Sequence, residues 1–130
     1  MRTEDLTALA VSMRDRAYCP YSRFSVGAAL ECSDGSVFTG CNVENASYPV
    51  GLCAERAAAA AAVAAGHRDF IRIAIAGGGP RFCYPCGMCR QFLAEFSPEL
   101  EVLCLNGRGE LRELTLGQFL PFGFDAGALH

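Results

Sequence analysis

With 130 residues, 52% of them hydrophobic and 19% charged, and a formal net charge of -3, the sequence has the composition of one globular domain with a single core. All eleven basic residues are arginine, so Schiff-base, pyridoxal-phosphate and Gly-Lys-Ser/Thr phosphate-loop chemistries are excluded, because each needs a lysine amine. The acidic balance argues against tight binding to a long nucleic acid, whose affinity depends on neutralising phosphates with many cations, and leaves a nucleoside open.

The start, Met1-Arg-Thr-Glu-Asp5, lacks a charged-then-apolar signal pattern. The longest apolar run, Ala57 to Ala65, is half the roughly 18 residues a membrane span requires. A cytosolic protein is expected. Apolar residues at Leu6, Leu9, Ala10, Met13 and Ala17 have helical spacing, which predicts a helix over Glu4 to Ala17 with Thr3 as its cap. Alternation at Val26, Ala28, Leu30 and Cys32, the Asp34-Gly35 turn and the run from Val37 to Thr39 predict a hairpin. Cys53 to Ala65 is alanine-dominated and ends at Gly66, which predicts a helix able to approach its neighbours closely. A strand follows over Ile71 to Ala76, then the Gly77-Gly78-Gly79-Pro80 stretch, which lacks a phosphate-loop pattern and reads as an ordinary flexible loop. A helix over Cys86 to Phe96, strands over Glu101 to Leu105 and Glu110 to Leu114, and a short helix over Leu116 to Leu120 complete the chain. The order α-β-β-α-β-α-β-β-α predicts a single α/β domain over residues 1–130, a three-layer α/β/α sandwich with a mixed five-stranded sheet.

Histidine is scarce. His67, beside Arg68 and Asp69, and the terminal His130 read as solvent-exposed ends. Cysteine is abundant, and in a reducing compartment eight cysteines point to metal or redox chemistry before disulfides. Cys53-Ala-Glu-Arg56 and Pro85-Cys-Gly-Met-Cys-Arg90 each fall at a predicted helix start. Cys86 and Cys89, three residues apart, share a helix face with β-carbons roughly 5 to 6 Å apart, so both sulfurs reach one ion. With Cys53 they supply three ligands, and three ligands with an open position is the arrangement of catalytic zinc. Adding Cys83 gives the alternative of a closed four-thiolate site or an iron–sulfur cluster, although Pro85 at the helix start sets Cys83 on a different backbone direction. Three thiolates leave a divalent ion with net negative charge, which helix N-termini and hydrogen bonds from Arg56 or Arg90 offset; a surface ion pair is the alternative role for both arginines. Glu55, two residues after a ligand, is placed to move a proton to a substrate nitrogen, or else is simply an acid at a helix start. Cys19, Cys32, Cys41 and Cys104 read as small buried hydrophobes.

These residues, together with Tyr18-Cys-Pro-Tyr-Ser-Arg-Phe24, Val26-Gly-Ala-Ala-Leu30, Gly40-Cys-Asn-Val-Glu-Asn-Ala-Ser-Tyr48 and Pro85-Cys-Gly-Met-Cys-Arg-Gln91, resemble the zinc-dependent cytidine/deoxycytidine deaminases of the short homotetrameric class over nearly the whole chain. The resemblance implies a cytidine deaminase-like fold and one Zn2+ per subunit on Cys53, Cys86 and Cys89. It implies hydrolysis of cytidine and 2'-deoxycytidine to the uridines plus ammonia in pyrimidine salvage, with attack of zinc-activated water at C4 and Glu55 as proton shuttle. Asn42 and Glu44 would recognise the ribose, Phe24 would flank the pyrimidine, Ala54 would line the substrate, and Arg56 would support the ligands. Phe124 would reach the active site of a neighbouring subunit, although Leu120-Pro-Phe-Gly-Phe124 departs from the family's usual tail. Phe24 as a core residue is the other reading. The implied partners are a pyrimidine nucleoside and further copies of the chain in a homotetramer, with no polymer or membrane. A blasticidin-type deaminase is the rival enzyme, and a non-catalytic structural zinc module the rival from another class.

Overall fold

The computed structural model describes residues 1–129. Helix α1 spans Thr3–Met13 and tightens into a 3-10 turn over Arg14–Arg16. The predicted single helix to Ala17 is thus cut short, and Arg14 turns its guanidinium onto the carbonyl oxygen of Gly77 at 2.8 Å. Thr3 is not the cap: Arg2 holds that position and the Thr3 hydroxyl instead accepts a hydrogen bond from Arg72 at 3.0 Å.

Strands β1 (Val26–Cys32) and β2 (Val37–Cys41) form the predicted hairpin. Helix α2 (Ala54–Ala64), strand β3 (Phe70–Gly77), helix α3 (Gly87–Ala94), strands β4 (Glu101–Leu105) and β5 (Leu111–Thr115) and the short helix α4 (Leu116–Phe119) follow. The sheet order is β2-β1-β3-β4-β5. Among the described residues of this sheet the β3–β4 pair alone is parallel, and α3 lies in the crossover between those two strands.

Every residue of β1 is buried because alternate side chains enter two different helix layers rather than core and solvent. Ala29, with Ala74, Ala76 and Leu103, packs under Leu6 and Ala10 of α1. Ala28 and Leu30, with Ile73, Ile75 and Val102, pack under Ala58 and Ala62 of α2 and Leu93 of α3. The three-layer α/β/α prediction therefore holds. Gly40 in β2 sets the depth at which α2 sits: a β-carbon there would lie 2.5 Å from the Ala54 oxygen and 2.6 Å from the Ala58 nitrogen. Helix α2, and with it the segment Cys53–Glu55, is seated directly on the sheet backbone.

Three expectations change. The triple-glycine stretch is held, not free: Gly78 N–H donates to Ser25 O at 3.0 Å, and Gly79 O accepts from Gly107 N–H at 2.7 Å. His67 is a tether rather than an exposed end, with Nε2 2.9 Å from Asp34 and 3.2 Å from Ser36, so it pins the β1–β2 turn to the loop after α2. His130 lies outside the described residues. Cys32 and Cys104 are buried as expected, whereas Cys19, ahead of β1, and Cys41, the last residue of the edge strand β2, are only half-buried. Among the described residues no helix is long and apolar enough to cross a membrane.

Candidate metal centre and nucleoside site

The starts of α2 and α3 meet in one cysteine cluster. Cys53 is the N-cap of α2, Cys86 is the N-cap of α3, and Cys89 lies in the first turn of α3. The Sγ atoms of Cys53 and Cys86 are 3.8 Å apart and those of Cys86 and Cys89 are 3.5 Å apart, with all three within 4.8 Å of one another. Tetrahedral zinc with Zn–S bonds of about 2.3 Å places its sulfurs roughly 3.8 Å apart, so the trio has the spacing of one tetrahedral face. Zinc fits these residues. Cys83 does not join the cluster; its N–H donates to Leu105 O at 3.0 Å, and burial pushes its thiol up to about 12. The open three-sulfur arrangement is therefore the one the fold builds.

Without an ion the three sulfurs share protons unequally. A hydrogen bond from Cys89, with others from Arg56 and Cys86, brings the Cys53 thiol down to about 5, while Cys89, as donor to Cys53 and buried besides, is pushed up. One thiolate is held in advance, and ion binding releases the remaining protons. Arg56 reaches Cys53 Sγ with Nη2 at 3.7 Å, the hydrogen bond expected of it. Arg90 does not. Its Nε donates to the carbonyl of Pro85 at 2.7 Å and its Nη1 to that of Phe119 at 3.1 Å, which turns it away from the sulfurs.

Glu55 is 4% exposed, and burial drives its carboxyl up to about 7, with the Cys53 thiolate adding to the rise. Among the described residues the other buried polar groups have strong partners: Glu31 pairs with the Met1 amine and Arg72, and Asn106 closes its own turn. Among the described residues Glu55 forms no salt bridge; its partners are the Cys89 thiol and a backbone N–H. A buried carboxyl tuned towards neutrality beside a metal cluster is suited to exchanging protons.

Asn42 and Glu44 flank the loop that carries Phe24. The Asn42 side chain accepts from Val26 N–H at 2.8 Å and donates to Phe24 O at 2.8 Å. The Glu44 carboxylate accepts from Tyr21 N–H at 3.0 Å, Ser22 N–H at 3.1 Å and the Ser22 hydroxyl at 2.5 Å. The Ser22 hydroxyl, outweighing slight desolvation, holds the Glu44 carboxyl below its ordinary value. Both side chains brace residues 21–26, and Glu44 also lines a cavity of 360 Å³ with Tyr21, Ser22, Asn45 and Tyr48. Ser22 lies within the Tyr18–Phe24 motif, but its bond to Glu44 was not legible there, because a serine in a turn is common and its partner lies 22 residues away.

Phe24 is not a core residue. It is 42% exposed and lines a groove of 730 Å³ with Arg81, Phe82, Cys83 and Tyr84. Its ring lies so close to Gly77 that a β-carbon there would be 3.0 Å from Cζ. Ala54 is fully buried at the start of α2. Phe124 is 60% exposed, its carbonyl accepts from Gln91 Nε2 at 2.8 Å, and it lines a separate cavity with Ala94, Leu116 and Leu120. Phe124 therefore lines neither the Phe24 groove nor the Glu44 cavity of its own chain.

An α/β/α sandwich with three cysteine sulfurs and a buried carboxyl at paired helix starts defines a zinc-binding protein with an open coordination position. Over residues 1–105 the chain matches the family described as the cytidine and deoxycytidylate deaminase zinc-binding region, and it belongs to that family. It is 47% identical over 118 residues to the cytidine deaminase of Halalkalibacterium halodurans, covering 90% of this chain and 89% of that protein. It is 45% identical over 111 residues to the cytidine deaminase of Mycobacterium tuberculosis, covering 84% of this chain and 80% of that protein. The crystal structure of the cytidine deaminase from Burkholderia pseudomallei superposes with a TM-score of 0.92 at 47% identity, covering 95% of this chain and all of that one.

Proposed function

We propose that the chain is a single-domain zinc hydrolase that deaminates cytidine and 2'-deoxycytidine to uridine and 2'-deoxyuridine with release of ammonia, a pyrimidine-salvage reaction. The observation that carries this reading is the buried Glu55, its carboxyl raised by burial two residues from Cys53, in a family whose members bear the name cytidine deaminase. When bound by Cys53, Cys86 and Cys89, zinc supplies Lewis-acid activation of the attacking water. Glu55 takes a proton from that water and delivers it to N3 of the pyrimidine, which makes C4 electrophilic. Glu55 then carries the second proton to the exocyclic nitrogen, which departs from C4 as ammonia because an amide anion is too basic to leave. Water supplies the oxygen and both protons, so the reaction balances.

Arg56 offsets the excess thiolate charge. Phe24 provides a flat apolar face for the pyrimidine beside the centre, whereas Ala54 has no surface exposed to the substrate and serves to seat the start of α2 against Gly40. Asn42 and Glu44 bind ribose hydroxyls with the capacity left after bracing the Phe24 loop, and the Glu44 charge repels a phosphate. A nucleoside is therefore preferred to a nucleotide. Phe124 contributes to the site of a neighbouring subunit in a homotetramer, for which the exposed Tyr48, Val50, Phe122 and Phe124 supply apolar surface. Eight free cysteines suit a reducing cytoplasm.

The test is the absorbance change of cytidine and deoxycytidine with zinc-loaded protein, repeated with Glu55→Gln. The variant retains one zinc and loses turnover by about 10²- to 10⁴-fold or more, the usual share of general acid–base catalysis. Near-full activity of that variant would refute the mechanism. Deamination of blasticidin but not cytidine assigns the rival enzyme, and zinc binding with no turnover on any of the three assigns a structural module.

A further inference from the structure

The three sulfurs of the cluster are not equally constrained. Cys89 is fully buried within α3, and Cys53 is half-buried and held by Arg56. Cys86 is exposed and stands at the helix boundary; its sulfur meets the Cys53 and Cys89 sulfurs but is not packed into the core. Its place follows from its backbone. On the N-terminal side that backbone is Pro85, which is fully buried and whose carbonyl accepts the Arg90 Nε–H at 2.7 Å. The guanidinium is itself held: Nη1 donates to Phe119 O at 3.1 Å, and its carbon lies 5.0 Å from the centroid of the Phe119 ring. The Arg90 N–H meanwhile donates to Cys86 O at 2.9 Å, so one residue grips the peptide groups on both sides of the Cys86 Cα.

We infer that Arg90 is a positioning residue for the metal centre: by clamping Pro85 against α4 it aims the sulfur of the exposed Cys86 at the ion. The inference rests on Cys86 being a ligand, as proposed above. Arg56 and Arg90, each just past a cysteine, thus divide the work: one meets a sulfur's charge and the other fixes a sulfur's position. Lysine is not an equivalent, because a compact ammonium lacks the planar fork that spans two carbonyls and stacks on a ring.

The experiment uses the full chain loaded with zinc or cobalt(II), well below its unfolding midpoint. Zinc transfer to a chromophoric chelator and the cobalt–thiolate absorption spectrum are compared for wild type, Arg90→Met, Arg90→Lys and Arg112→Met. Arg112 donates its hydrogen bond to the Tyr84 hydroxyl in the same loop, not to the Pro85 carbonyl, and so serves as the control. Arg90→Met releases zinc at least about tenfold faster and shifts the cobalt bands, in keeping with losses for residues that orient ligands. Arg90→Lys changes both in the same direction and carries the test if the methionine variant does not fold. Arg112→Met matches wild type in both. Unchanged release and spectra in the Arg90 variants, even with a lowered unfolding midpoint, overturn the inference, as do equal changes in Arg112→Met. Cys86→Ala with full zinc content and an unaltered cobalt spectrum refutes the ligand assignment itself, a separate failure.

Discussion

Arg56 Nη2 lies 3.7 Å from Cys53 Sγ, and this contact gives the metal-free protein a testable ionisation. Cys53 is the sulfur that ionises first, brought to about 5 by the Cys89 hydrogen bond and by Arg56, whereas Cys89 keeps its proton. The thiolate is present above that value and is lost as pH falls through it. Alkylation of the metal-free protein at pH 6 should therefore modify Cys53 and spare Cys89, as peptide mapping can read. Arg56→Gln moves the Cys53 titration upwards, slows its alkylation at pH 6 and weakens zinc binding by about 10- to 100-fold in chelator competition. Equal alkylation of wild type and variant would remove the role given to Arg56. The sequence placed both arginines beside cysteines, and spacing could not separate them: their different partners are a sulfur and two backbone carbonyls, and the second carbonyl lies 29 residues away.

Helix α2 delivers Cys53 and Glu55, and its depth depends on Gly40. Substituting Gly40→Ala puts a methyl 2.5 Å from Ala54 O and 2.6 Å from Ala58 N, backbone atoms that move only with the helix. The variant should lose about 1 to 3 kcal/mol of stability by overpacking and should bind zinc more weakly, because Cys53 shifts while α3 stays. Denaturant unfolding and chelator competition read the two effects, and a stable variant with wild-type zinc affinity would show that the helix is not so constrained. The alanine run made α2 legible, since alanine favours helix and permits close approach. The matching glycine on β2 was not legible, because nothing local says which helix face it meets. The same applies to the triple glycine: read locally it is a flexible loop, but Ser25, Phe24 and Gly107 close around it.

At the scale of the whole molecule, element order and the three layers followed from periodicity, but strand order and direction did not, because they depend on pairings across the chain. Glu31 shows the energetic side of that gap. In the sequence it is one acid in a strand, yet the fold buries it opposite Arg72 in the β1–β3 register, with the Arg72 guanidinium 2.7 Å from its carboxylate. Burial alone would raise the Glu31 carboxyl, but hydrogen bonds from the Met1 amine and Arg72 overcome it and hold the group below its ordinary value. The folded chain thus binds less proton at this site than the unfolded chain in the range between the two values. The resulting stability is full above the ordinary carboxylate range and is lost as pH falls through the lowered folded value. Arg72→Met removes the guanidinium and leaves the carboxyl buried, so its unfolding midpoint should fall at neutral pH and the gap from wild type should narrow on acidification. Thermal unfolding of both proteins from pH 7 to pH 3 measures that gap, and a constant difference across the range would show that the β1–β3 pair carries no proton linkage.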